Sequence, residues 1–239
     1  MKKFALLLIV LAVGCSACKK DNERVKDTTY QPDVNPAKFS NSTVFTNPFF
    51  PFEDGKTYVF EGQTEDGLEH VEVKRTTKTK VVMGITCVVI NDKVWLDGKL
   101  IEETDDWYAQ DNDGNVWYFG EDVANYNLDG SLKNHAGAWE AGVDGAQPGI
   151  IMLADPKVGM KYREEYYFNE AEDEAEVVEV GVSVTIPYGT FDNCIKTRNW
   201  TELEPDVLEN KFYAPGIGVI KEVNVSDKEE IALIDIKNE

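Results

Sequence analysis

One stretch restricts the fold more than any other. Asp105-Asp106-Trp107-Tyr108-Ala109-Gln110 is followed by Asp111-Asn112-Asp113-Gly114-Asn115 and then by Val116-Trp117-Tyr118-Phe119-Gly120-Glu121. Two aromatic runs flank a polar Asp-Gly turn, which predicts a β-hairpin. Successive side chains on a strand point to opposite faces. Trp107 beside Tyr108, and Trp117 beside Tyr118, therefore make both faces of this hairpin aromatic. One face must be core. The other is covered, exposed, or turned toward a ligand.

The rest of the chain reads as more hairpins. Val71-Glu72-Val73-Lys74-Arg75-Thr76 alternates like a half-buried strand. Met83-Gly84 and Asp97-Gly98 mark tight turns between apolar runs, and Asn47-Pro48-Phe49-Phe50-Pro51-Phe52 reads as an aromatic lead-in packed on the sheet. The acidic stretch Glu170 to Glu176 reads as strand, loop, strand. No window of the first unit has a helical period.

The hairpin also has an echo in Lys211-Phe212-Tyr213-Ala214-Pro215-Gly216. Gly55-Lys56-Thr57-Tyr58 is answered by Gly159-Met160-Lys161-Tyr162, Gly84 through Cys87 by Gly189 through Cys194, and Trp95 by Trp200. The offset stays between roughly 102 and 107 residues. An ordered series of this kind predicts an internal duplication, with units at 55–122 and 159–225 joined by a crossover at 123–158. The alternative is two meanders sharing hairpin chemistry. The expected fold is all-β and antiparallel, two β-meanders forming a half-open barrel or two packed sheets, in a single domain over 48–239.

The N-terminus reads as an address. Lys2 and Lys3 precede an apolar run from Phe4 to Val13, too short to span a bilayer. Small residues then precede Cys15 and Cys18, so residues 1–18 read as a lipoprotein signal, with cleavage before Cys18 or, alternatively, Cys15. Acyl chains on that cysteine would anchor the protein in the bacterial envelope, in the outer membrane by preference, on a face the sequence leaves open. Residues 19–47 are polar, contain Pro32 and Pro36, and read as a flexible tether of which Tyr30 to Phe39 lies along the domain.

Composition removes several functions. The chain carries 24 basic and 44 acidic residues, a net charge of −20. Nucleic acid is excluded as a partner, since its phosphates need basic patches. Cys87 and Cys194 are the two cysteines of the body and are either a disulfide or two small buried hydrophobes. His70 and His135 lack ligand spacing, and Asp111-Asn112-Asp113-Gly114 misplaces the glycine of a calcium loop, so no metal is expected. There is no nucleophile elbow and no phosphate loop, and no cofactor is expected. The oligomeric state is open.

Several motifs together resemble a broad group of Bacteroidetes-type secreted proteins and lipoproteins to which no activity attaches. They are Asn47 to Phe52, Asp106 to Asp111, Gly114 to Glu121, Trp139 to Ala146, Val184 to Gly189 and Tyr213 to Gly218. The Phe212 to Ile220 strand is also similar, more weakly, to strands of LolA/LolB-like half-barrels, which implies a sheet curled around an apolar cavity. The resulting expectation is a noncatalytic, membrane-anchored envelope lipoprotein that binds a small apolar or amphiphilic ligand at Trp107, Trp117, Trp139, Glu140 and Asp144. Two alternatives stand beside it: a structural or protein-interaction module of the envelope, and a hydrolase using paired carboxylates.

Overall fold

The computed structural model describes residues 24–238. The signal segment and both candidate lipidation cysteines, Cys15 and Cys18, lie outside the described residues. A five-stranded antiparallel meander comes first: β1 (Lys56–Thr64), β2 (Gly67–Val82), β3 (Ile85–Leu96), β4 (Lys99–Gln110) and β5 (Val116–Tyr126). The crossover contributes three short strands, β6 (Leu132–Asn134), β7 (Trp139–Glu140) and β8 (Gln147–Met152). Then follow β9 (Lys161–Arg163), β10 (Glu165–Tyr166), β11 (Asp173–Ile186), β12 (Gly189–Thr201), β13 (Leu208–Ala214), β14 (Gly218–Asn224) and β15 (Glu229–Asn238). Among the described residues there is no α-helix, only a single 3-10 turn at Pro36–Lys38.

Local chemistry explains the hairpins. Met83 and Gly84 have φ of 50° and 79°, and Asp97 and Gly98 have φ of 48° and 75°. Two consecutive residues at positive φ make the turn whose twist matches the flanking strands. Between these turns the strands alternate β-branched and aromatic residues with polar ones, as a pleated half-buried surface requires.

All strands join one sheet in the order β10-β8-β5-β4-β3-β2-β1-β15-β14-β13-β12-β11-β9, with β6 and β7 added on β5. Of the two architectures expected, the curled sheet is the one formed, and it is a nearly closed barrel with one seam. At that seam Lys161–Arg163 pairs with β11, and Glu165–Tyr166 pairs with β8. Glu164 stands between them, its N–H donating to the Asp173 carbonyl. The chain itself thus steps across the gap. Of the residues matched as an echo, Tyr58 and Tyr162 lie on β1 and β9, Cys87 and Cys194 on β3 and β12, and Tyr108 and Tyr213 on β4 and β13. Cys87 and Cys194 are separate buried thiols, with β2, β1, β15, β14 and β13 standing between their strands. A disulfide between them would need the two sides of the barrel to meet.

The segment before β1 is docked on the barrel from the first described residue. Arg24 pairs with Glu172, Arg163 with Asp27, and the Tyr30 hydroxyl donates to the Pro148 carbonyl. Phe39 is buried on the outer face of the sheet against Trp117 and Phe119. The segment then crosses the rim, where Gln110 Oε1 accepts the N–H groups of Thr46 and Asn47. Beyond the rim Phe50 and Phe52 enter the barrel. Phe50 packs 5.1 Å from Tyr108 and 4.8 Å from Phe52, which in turn lies 5.4 Å from Tyr58. A barrel of eight strands is just filled by its own side chains, and a wider one has interior volume left to fill. Here two phenylalanines from the lead-in fill one end.

A carboxylate-lined interior as the candidate functional site

The five residues expected to form the site do not share one surface. Trp107 points outward from β4, and the Lys80 ammonium sits 3.4 Å from its ring centre while pairing at 2.8 Å with Glu140. That cluster occupies a shallow dimple also bordered by Asp122 and Trp139. Trp117 is held elsewhere, its indole N–H donating to Asp111 Oδ2. Asp144 is an exposed turn residue at φ 51°. Trp139 alone of the five turns inward, standing edge-on to the Tyr118 ring at 5.4 Å and 82°. Both oxygens of Asp111 are occupied by the turn itself, accepting from Asp113, Asn115 and Trp117.

The barrel interior holds the chemistry that sequence reasoning missed. Among the described residues the buried set includes Glu69, Asp92, Asp106, Glu121, Glu164, Glu165 and Glu222, against Lys211 as the one buried cation. Cross-strand register explains how they meet. Ile90 of β3 lies beside Asp106 of β4, which lies beside Glu121 of β5. Glu222 of β14 lies beside Lys211 of β13, which lies beside Thr197 of β12.

A bulge makes the first of these rows possible. Between the pairs Tyr108↔Tyr118 and Asp106↔Glu121, β4 advances two residues while β5 advances three. Strict alternation would put Tyr118 and Glu121 on opposite faces. The extra residue brings both inward. Gly120 supplies the backbone at φ 125°, and a Cβ there would collide with the Trp139 carbonyl of the neighbouring strand.

Electrostatic coupling runs right round the interior. Asp92 feels Asp106, Glu102 and Glu69. Glu121 feels Asp106, Glu165 and Asp173, and Asp173 feels Glu164. Lys211 feels Glu222, Glu164 and Glu209, and Glu222 feels Glu209 and Glu69. The circuit returns to its start, so these groups form one continuous ring of electrostatic neighbours.

Burial is the main force on every one of them. It pushes the Asp106 carboxyl up to about 7, although the hydroxyl of Tyr118 donates to it at 2.7 Å and pulls the other way. It pushes Asp173 up to about 8, helped by Glu164 and opposed by Lys211. Asp92, Glu121, Glu165 and Glu222 are raised well above the usual carboxylate range, first by burial and then by their acidic neighbours. Burial lowers the proton affinity of Lys211, but Glu222, 3.8 Å away, and Glu164 together hold it well above its ordinary value. Lys211 therefore stays charged. Glu164 is the best-satisfied acid, receiving Asn199 Nδ2 on both oxygens at 3.0 and 2.9 Å, with Asn199 fixed by the Thr197 hydroxyl.

Other atoms are left over. Asp92 Oδ1, Asp106 Oδ2, Glu121 Oε1 and the Tyr108 hydroxyl are buried with no hydrogen-bond partner among the described residues. The Trp139 indole N–H comes near enough to Glu165 to hold its proton affinity down, but not into hydrogen-bond geometry. Buried polar atoms without partners cost roughly 1–3 kcal/mol each, so folded proteins rarely keep several together. At the same end Glu102, Asp173 and Glu209 are only half-buried. The acidic end is thus less tightly sealed than the end filled by Phe50 and Phe52.

No protein-family model matches the chain, and no curated protein matches it. Among solved structures it is similar to a protein from Bacteroides fragilis described as exported and of YmcC-like fold. The two are 17% identical, and 80% of this chain covers 99% of that one at a TM-score of 0.42. It is also similar to a protein from Parabacteroides distasonis described as a lipoprotein, at 14% identity, 82% of this chain covering 100% of that one, with a TM-score of 0.43.

Proposed function

We propose that this chain is a lipid-anchored, noncatalytic binding protein of the bacterial envelope that holds a small amphiphilic ligand inside its barrel. The anchor rests on the signal segment and Cys18, with Cys15 as its alternative. The binding role rests on one observation above the others: the unpartnered Asp92, Asp106, Glu121 and Tyr108 atoms gathered inside a barrel whose other end is filled by its own phenylalanines. A cluster kept at such a cost is understandable if a ligand completes it. Tyr108, Tyr118 and Trp139 give that ligand an apolar wall.

The test is native mass spectrometry of the full chain extracted from its own membrane in mild detergent. A stoichiometric small-molecule adduct that survives detergent removal is expected. A clean mass, unchanged on exposure to envelope lipid extract, would transfer the protein to the interaction-module reading. Turnover of a glycoside or ester panel, abolished by Asp106→Asn, would instead favour a carboxylate hydrolase.

A further inference from the structure

We infer that the polar end of the ligand is an organic cation, an ammonium or guanidinium group, held between Asp92, Asp106 and Glu121 against the rings of Tyr118 and Trp139. This rests on the reading of the interior as a ligand site and names its chemistry. Four observations lead there.

The first is the donor–acceptor balance. The unpartnered atoms on this side are oxygens of Asp92, Asp106 and Glu121, with the Tyr108 hydroxyl and the Trp139 indole N–H as unpartnered donors beside them. Burial keeps protons on Asp92 and Glu121, and a cation entering there displaces them and supplies donors in their place. An ammonium brings three and no acceptor, and a guanidinium brings five.

The second is charge. The protein's own buried cation, Lys211, is engaged on the opposite wall with Glu222 and Glu164. The β3–β5 wall has acids and no base among its buried residues. An anionic headgroup would oppose ionisation of these acids, a neutral one would leave them protonated, and a cation lets them ionise as its partners.

The third is the aromatic wall. Tyr108 and Tyr118 stack at 4.8 Å and 24°, and Trp139 meets Tyr118 edge-on. Aromatic faces beside carboxylates attract cations through the ring quadrupole. On the outer face the protein does the same with its own side chain, where Lys80 lies over Trp107 and reaches Glu140.

The fourth bears on which cation. A bound divalent metal needs several oxygens converging to within about 2.0–2.6 Å of one point. Among the described residues no three acids or histidines come together in that way. A cation bound through directional N–H groups does not need that convergence.

The experiment compares three probes of equal chain length with the full chain in detergent: dodecylammonium, dodecanol and dodecanoate, each titrated calorimetrically at pH 8, with magnesium as a fourth. Dodecylammonium is expected to bind at least tenfold more tightly than dodecanol, and dodecanoate more weakly than either. Asp106→Asn with Glu121→Gln is expected to bring the ratio of dodecylammonium to dodecanol affinity down to about one, whatever happens to the two affinities separately. Tyr108→Phe, which deletes only the unpartnered hydroxyl, serves if the double variant does not fold, and is expected to alter ammonium affinity more than dodecanol affinity. Equal binding of ammonium and alcohol would overturn the inference but keep the binding reading. So would magnesium displacing dodecylammonium at stoichiometric amounts. Failure of all three amphiphiles, joined with a clean native mass after exposure to envelope extract, would overturn both.

Discussion

Tyr118 donates its hydroxyl to Asp106 Oδ1 at 2.7 Å, inside the barrel and across a bulge, while Asp106 Oδ2 has no partner among the described residues. The aspartate is therefore half-satisfied. Tyr118→Phe removes the donor and leaves both oxygens exposed to an apolar environment. A loss of about 1–3 kcal/mol in denaturant unfolding is expected at pH 8. The loss should shrink at pH 5, where the carboxyl is protonated and can rotate to donate. Equal losses at both values would mean that the hydroxyl merely packs.

The interior acids should give the apo protein an unusual pH dependence. Their folded proton affinities are raised, with Asp106 at about 7 and Asp173 at about 8, against ordinary values of 3.8. The folded state thus binds more protons than the unfolded chain through this window, and stability falls as pH rises. The contribution is full below about pH 4, declines steadily as pH rises above that, and is gone once pH has passed about 7 for Asp106 and about 8 for Asp173. A tenfold change in proton affinity corresponds to about 1.4 kcal/mol, so the loss should be easily measured. Asp27, Glu72 and Glu176 are lowered by hydrogen bonds to Thr29, Lys237 and Arg198, and they act in the opposite sense only below about pH 4. Urea unfolding from pH 5 to 8.5 should show the decline, and Asp106→Asn should flatten part of it. A rise in stability over that range would contradict the buried-acid interior.

Gly149 should prove intolerant of any side chain. It lies on β8 at the seam, where a Cβ would run into the Glu164 and Arg163 backbone. Gly149→Ala must push β10 away from β8, and with it the one strand that closes the barrel on that side. A loss of at least about 2 kcal/mol is expected, with faster amide exchange at Glu165 and Tyr166. Unchanged exchange there would show that the seam yields without opening.

What the sequence made legible follows from what is local. The turns at Met83-Gly84 and Asp97-Gly98 need positive φ, and their residues announce it. The lead-in Phe49 to Phe52 is too aromatic to remain in water, and it enters the core. The interior acids were not legible for two reasons. With 44 acidic residues in the chain, no single one stands out. Alternation also fails where it matters, because the bulge at Phe119 and Gly120 turns Glu121 inward with Tyr118. One clue was present. Asp92 is in phase with Ile90 and Val94, and an acid in step with core positions is a candidate buried group; Asn91-Asp92-Lys93 reads instead as a polar break between two strands. The docking of residues 24–29 was equally hidden, since pairs such as Arg24 with Glu172 join distant parts of the chain, whereas Tyr30 to Phe39 were expected along the domain.

Phe50 offers a test of the filled end. It is 2% exposed and touches Phe45, Phe52 and Tyr108. Phe50→Ala should cost about 3–5 kcal/mol, since the rim contacts around Gln110 keep the backbone from collapsing into the hole. If the variant folds, it should also bind an apolar dye that the parent excludes. Loss of stability without dye binding would indicate that the neighbouring rings close over the gap.

Arg163 pins the N-terminal segment to the barrel. Its guanidinium reaches Asp27 at 3.3 Å and Glu174 at 3.5 Å, and lies over the rings of Tyr30 and Tyr166. These contacts pin the N-terminal segment beside the seam. If Cys18 carries the lipid, five residues, Lys19 to Glu23, separate it from Arg24, a reach of about 20 Å when extended. Releasing the segment back to Phe39 would roughly triple that reach. Arg163→Ala is expected to lower global stability by no more than about 1 kcal/mol, because its ion pairs are partly exposed. Its larger effect should be local: chymotrypsin should cut after Tyr30 many times faster than in the parent, while the barrel stays intact. Cleavage at the parental rate would place the hold on the segment at Arg24 and Tyr30 instead, and Arg24→Ala with Tyr30→Phe would then be the pair that frees it.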